Sequence, residues 1–227
     1  ILDENLNKVS VIKRIAENEY IESARFMGDT GYFVTYRNTD PLFAVDLSDP
    51  ENPDIIGYLK LPGFSAYLHP YGGDMLLGIG YDTDEEYGFQ NGVKVSIFDI
   101  SDPADIKEAD KIVFENMTDT SVVNNRKAFM YDEKNGTFGF SAYVYGEGDD
   151  TTDVQYLVMK YDSESGFDIL LNEELENNGY TTDYFGYSDM LRIRGLVVDD
   201  YLYIVDPGHT VWIYDASDYK LSSIFTN

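Results

Sequence analysis

Apolar side chains recur along this chain with a period of two. In "YFVTYR", Tyr32, Val34 and Tyr36 fall on one side, and Val93, Val95 and Ile97, then Val211 and Ile213, repeat the spacing. That period places alternate residues on one face of a β-strand. The runs are short and are punctuated by glycine and acidic residues. "SARFM" meets "YFVTYR" across "GDTG", and "SAYLHPY" meets "MLLGIGY" across "GGD". Likewise "RKAFMYD" meets "TFGFSAYVY" across "EKNG", and "RIRGLVV" meets "YLYIVD" across "DD". Such punctuation between apolar runs signals hairpins. Helical spacing is nearly absent. "SDPADIKEADKI" has the look of a helix start, but its match to "SDPENPDIIGYL" reads as a turn followed by a strand.

A longer period lies over the short one. Strand-like runs end in Asp at "FAVDLSDP", "SIFDISDP", "VMKYDSES" and "VWIYDASD", that is at Asp46, Asp99, Asp162 and Asp215, with intervals of 53, 63 and 53 residues. Asp and Ser side chains bond the backbone two residues on and so start turns. Pro50 and Pro103, with fixed φ and no N–H, belong in the turn and not in the strand. Each unit therefore reads as a four-stranded antiparallel meander of about 50 residues, the size of a propeller blade. Sheets stacked radially leave few exposed edges. The expected fold is all-β: a β-propeller with four consecutive blades over about 20–64, 65–120, 121–180 and 181–227, in one domain. Residues 1–19, with "ILDENLNKVSVIKRIA", read as the outer strand or strands of a preceding blade, so a larger propeller is expected, the alternative being a closed four-bladed ring that the first strand helps to complete. The chain opens on Ile1 with no signal-like stretch, which reads as a processed chain or a fragment.

Composition narrows the chemistry. The 227 residues are 43% hydrophobic, enough for a sizeable core without staples. Net charge is −26, so the surface repels phosphate backbones and anionic lipid; nucleic acid is excluded as a partner. No apolar run is long enough to span a bilayer, so no membrane insertion is expected. The absence of cysteine excludes disulfides, thiolate catalysis and Cys-ligated zinc.

The stretch "ARFMGDTGYFVTYRNTDPLFAVDLSDPENP", with "GYLKLPGFSAYLHPY" and "GVKVSIFDISDP", resembles a family of bacterial secreted proteins carrying a C-terminal β-propeller distantly related to WD repeats. The match runs from about Ala24 to Pro103 and weakens where "DSESGF" and "DASDYK" replace the full signature. The resemblance implies a secreted or cell-surface setting and a propeller longer than this chain. It implies no activity and carries over no catalytic residue.

Two groups of residues are candidates for chemistry. Near the inner strand of each unit stands Arg25, His69, Lys127 or Arg194, with Arg126 and Arg192 close by. If the units are blades, these side chains converge on a channel and bind carboxylate or phosphate, Arg supplying paired donors. Internal ion pairs with the acidic loops are the competing expectation. The second group lies between the second and third strands of the units: Asp82, Asp84 and Glu86 in "DTDEEYG", with Asp149 and Asp150 in "YGEGDDTTD". Clustered carboxylates suit Ca²⁺. The spacing departs from a calcium loop, with Gly88 one position late and Val93 where the closing Glu belongs, so solvated acidic loops compete with that reading. His69 and His209, the two histidines, lie in no nucleophile-elbow pattern. The resulting expectation is a binding or scaffolding module for a protein, peptide or glycan. Its alternatives are a hydrolase of cell-wall or polysaccharide material and a Ca-stabilised structural module.

Overall fold

The computed structural model describes residues 1–13, 15–16, 19–36, 40–84, 89–145, 152–175, 192–206 and 210–226. They fall into two compact units, Ile1–Val113 and Phe114–Asn227. Each unit carries two antiparallel meanders.

In the first unit, β1 (Tyr20–Met27), β2 (Thr30–Tyr36), β3 (Asp40–Asp46) and β4 (Asp54–Leu61) form one sheet in chain order. A second sheet holds β5 (Phe64–Pro70), β6 (Met75–Thr83), β7 (Gln90–Asp99) and β8 (Lys107–Phe114). The period of two sorts their residues as expected. Tyr32, Val34, Leu42 and Ala44 leave one face of the first sheet and pack with Leu68, Leu76 and Phe98 of the second. This apolar layer holds the sheets face to face, because burial of aliphatic and aromatic area is the main favourable term in folding.

The second unit repeats the plan with one departure. Its first sheet contains β10 (Met130–Asp132), β11 (Thr137–Tyr145), β12 (Thr152–Asp162) and β13 (Gly166–Leu175), and β9 (Met117–Thr120) pairs with the far half of β11. Between β9 and β10 the chain makes one helical turn, α1 (Ser121–Asn124), and a 3₁₀ turn over Arg126–Ala128. The expected strand "RKAFMYD" is thus a turn followed by a shorter strand. The reason is capping. Thr120 accepts from the Val122 amide and Asn125 from the Lys127 amide, and each draws the chain out of the ladder. The last sheet is β14 (Arg194–Val198), β15 (Tyr201–Asp206), β16 (Thr210–Asp215) and β17 (Leu221–Thr226).

The Asp signature has a single geometry in all four sheets. Asp46, Asp99, Asp162 and Asp215 each accept, through Oδ1, the amide two residues on, at 2.8, 3.0, 2.9 and 2.8 Å. In three sheets the next amide reaches back to the first hairpin: Leu47 to the Asp29 carbonyl, Ile100 to that of Asp74 and Ala216 to that of Asp200. The Asp side chain closes its own turn, and the backbone amide next to it ties the third strand's end to the hairpin joining the first two.

Candidate functional site

In the first unit the first strands of the two sheets run alongside each other. Ser23 Oγ donates to the Ser65 carbonyl at 2.6 Å, and Arg25 donates to the Leu68 carbonyl through Nε at 3.0 Å and Nη2 at 2.6 Å. The guanidinium lies 5.9 Å from the centre of the Tyr67 ring, within cation–π range. The Tyr67 hydroxyl in turn meets His69 Nδ1 at 3.1 Å, with the two rings stacked. Arg25, Tyr67 and His69 thus form one cluster. Burial, with the Arg25 charge adding to it, lowers the His69 pKa to about 4. His69 is therefore neutral at pH 7. It enters the cluster as a hydrogen-bonding ring and not as one of the cations the sequence reading grouped it with.

In the second unit Lys127 and Arg126 stand exposed on the 3₁₀ turn. Arg194, half-buried at the start of β14, donates through Nη1 to the Ile193 carbonyl at 2.9 Å. Burial lowers its pKa, while the nearby Tyr143 and Tyr156 hydroxyls act the other way. Tyr156 is fully buried, and its hydroxyl finds no hydrogen-bond partner among the described residues. That hydroxyl leans on Gly195, where a Cβ would come within 1.7 Å of it.

The register corrects the expectation that the four basic positions are equivalent in the repeat. Arg25 faces Tyr32 across β1 and β2, two residues before the hairpin pair Met27–Thr30. His69 faces Leu77 at the same level, two before Tyr71, whose amide donates to the Met75 carbonyl. In the last sheet that level belongs to Leu196, opposite Tyr203, while Arg194 lies two residues earlier, opposite Val205. Lys127 is not on a strand at all.

Arg25 rests on a carbonyl and a ring, and among the described residues neither it nor Arg126 nor Lys127 meets a carboxylate. Two ion pairs among the described residues, Lys107 with Asp105 and Lys220 with Asp218, lie at the Asp turns. In a chain of net charge −26, cations held away from carboxylates keep their field for something else.

Of the acidic candidates, Asp82 and Asp84 are described and half-buried. Asn91 Nδ2 donates to Asp82 Oδ2 at 3.4 Å, and the Asp84 amide to the Phe89 carbonyl at 2.9 Å. Glu86, Asp149 and Asp150 lie outside the described residues, as does His209. Among the described residues no three His, Cys, Asp or Glu side chains are placed to hold a metal.

Sequence reasoning passed over Lys94. It is 3% exposed, and its Nζ donates to the Pro62 carbonyl at 2.6 Å beside Gly63, whose amide donates to Thr83 Oγ1. The signal was present, since "VKVSI" places Lys94 and Ser96 on the face opposite Val93, Val95 and Ile97. Both faces of that strand are buried.

Four antiparallel four-stranded units with a shared turn geometry define the class of protein as a β-propeller. The family model described as "Beta propeller domain" matches residues 1–219, and the chain belongs to that family. An uncharacterised protein of Archaeoglobus fulgidus is 33% identical over 97% of this chain and 30% of its own length. An uncharacterised protein of Methanocaldococcus jannaschii is 43% identical over 63% of this chain and 22% of its own. Both relatives are archaeal, and the chain spans less than a third of their length. The crystal structure of Citrobacter koseri AztD aligns over 91% of this chain and 46% of that one, with 18% identity and a TM-score of 0.51, a likeness of fold alone.

Proposed function

We propose that the chain is a binding module in which Arg25 on β1 and Arg126 and Lys127 on the 3₁₀ turn each hold an anionic group, carboxylate or phosphate, carried by a protein, peptide or glycan partner. The observation that carries this reading is made in each unit by itself: the Leu68 carbonyl and the Tyr67 ring hold Arg25 in the first, and Arg126 and Lys127 stand exposed on the 3₁₀ turn of the second. Among the described residues none of the three meets a carboxylate, in a chain that has 42 Asp and Glu against 16 Lys and Arg. A guanidinium pinned on a carbonyl is already oriented, so little ordering remains when an anion arrives. Neutral His69 and the Tyr67 hydroxyl add hydrogen-bonding capacity beside that charge without adding repulsion or attraction. The secreted or cell-surface setting implied by the family resemblance belongs to the same proposal.

Inorganic phosphate and citrate serve as probes. Titration calorimetry of the chain at low salt is expected to show binding that weakens at least about tenfold in Arg25→Ala or Lys127→Ala, the scale of one lost charge-assisted hydrogen bond. Equal binding in both variants and the parent, or none in the parent, rejects the reading.

A further inference from the structure

The acceptor pattern for N-linked saccharides, an asparagine with a hydroxyl residue two places on, occurs twice in the chain. It reads Asn116-Met117-Thr118 and Asn135-Gly136-Thr137. Both asparagines are exposed and both sit in turns, as a bulky modification requires. Their surroundings differ.

Asn116 stands in the turn between β8 and β9, and among the described residues its carboxamide has no hydrogen-bond partner. Met117 is buried and anchors the segment. β9 has four residues and pairs with β11 alone among the described residues. Its register is broken, because Asp119 faces Tyr143 while Met117 faces Val144, which leaves Thr118 bulged between them. The Thr118 hydroxyl reaches the Tyr143 carbonyl at a long 3.4 Å. A short, bulged edge strand opens at low cost.

Asn135 is held. Its Nδ2 donates to Asp132 Oδ2 at 2.6 Å, and Asp132 Oδ1 accepts the Lys134 amide at 3.1 Å. Gly136, at φ +64°, completes the turn. Thr137 is 3% exposed and begins β11, with Asp132 facing it on one side and Lys160 on the other. Presenting that hydroxyl to an enzyme means unzipping a central strand from both neighbours.

We propose that Asn116 is a site of saccharide attachment on the folded chain and that Asn135 is left bare. The proposal rests on the secreted or cell-surface setting put forward above. The co-substrate is an activated glycosyl phosphate. Asn116 Nδ2 bonds to its anomeric carbon, the bond from that carbon to the phosphate oxygen breaks with its electron pair going to the phosphate, and Nδ2 gives up one proton. The nitrogen has to turn out of the amide plane to do this. A carboxamide pinned on a carboxylate, as at Asn135, resists that turn, and the Asn116 carboxamide does not.

The test uses the chain as its own cells make it, recovered separately from outside and inside the cell, digested and read by peptide mass spectrometry. The peptide holding Asn116 is expected to carry added saccharide mass and the peptide holding Asn135 none. Asn116→Gln and Thr118→Ala should each lose the added mass, and Asn135→Gln should keep it. Thr118→Ala leaves Asn116 in place, so its loss ties the modification to the acceptor pattern. Exported chain with a bare Asn116 overturns the proposal and leaves the exported setting standing. Bare chain found only inside the cell overturns both. Saccharide on Asn135 to the same extent as on Asn116 also overturns it, since the turn geometry would then select nothing.

Discussion

Asp46, Asp99, Asp162 and Asp215 do the same small task four times. Hydrogen bonds from Ser48, Ser101, Glu164 and Ser217, respectively, hold each carboxylate below its ordinary pKa. A carboxylate with a lowered folded pKa stabilises the fold above its unfolded value, about 3.9, and that contribution is lost as pH falls through the folded value. His69 acts in a different window. Its folded pKa of about 4 lies below the ordinary histidine value of 6.5, so the unfolded chain binds the proton first and stability declines as pH drops from about 6.5 to 4. One unit is worth about 1.4 kcal/mol, and because the ring is only half-buried the effect should be about 1–2 kcal/mol. Thermal melts from pH 7 to 3 are expected to show both windows, and His69→Gln should flatten the upper one alone. Asp99→Asn should keep the turn and soften the acid limb, since its amide oxygen still accepts from the Ser101 amide. Asp99→Ala should lose both, with a lower denaturation midpoint at pH 7. These turns were legible in the sequence because an Asp bonding its own backbone needs no distant partner. The neutrality of His69 was not, because it depends on burial and on Arg25 from another blade.

At the scale of elements, the strands were legible from alternation, and the repeat from its Asp punctuation. The register was not. Bulges between Ile21 and Ser23 and between Ser65 and Tyr67 shift levels without marking the sequence. The capped turns over residues 121–128 remove Lys127 from any strand. Grouping the cations by their place near the start of each inner strand therefore put Arg194 and Lys127 on a level with Arg25 that they do not share. Two close approaches give tests at this scale. Gly57→Ala drives a Cβ to 2.2 Å from the Pro103 carbonyl, where backbone must yield. It should cost about 1–3 kcal/mol, the usual range for overpacking, measured by urea titration. Tyr156→Phe removes a buried hydroxyl that has no partner among the described residues. Its effect should be neutral to stabilising by about 1 kcal/mol, since the desolvation of that group is relieved. A loss of more than about 2 kcal/mol would mean the hydroxyl is bonded.

For the whole chain, a net charge of −26 makes self-repulsion a standing load. Raising ionic strength from about 10 to 150 mM shortens the Debye length from about 30 to 8 Å and should raise the melting temperature. Against that field, the feature behind the proposed ligand is that Arg25, Arg126 and Lys127 meet no carboxylate among the described residues. The sequence displayed these residues as scarce charges recurring near the start of each unit. What it hid was the fate of the charges, because ion pairing depends on which loops fold over which strands. The measurement that tests this most directly is an anomalous difference map from crystals soaked in selenate at low ionic strength. The account predicts peaks within hydrogen-bonding reach of the Arg25 guanidinium and of the Arg126–Lys127 turn, lost in Arg25→Ala and Lys127→Ala crystals respectively. Carboxylates from this same chain filling both places, or peaks confined to other parts of the surface, would contradict it.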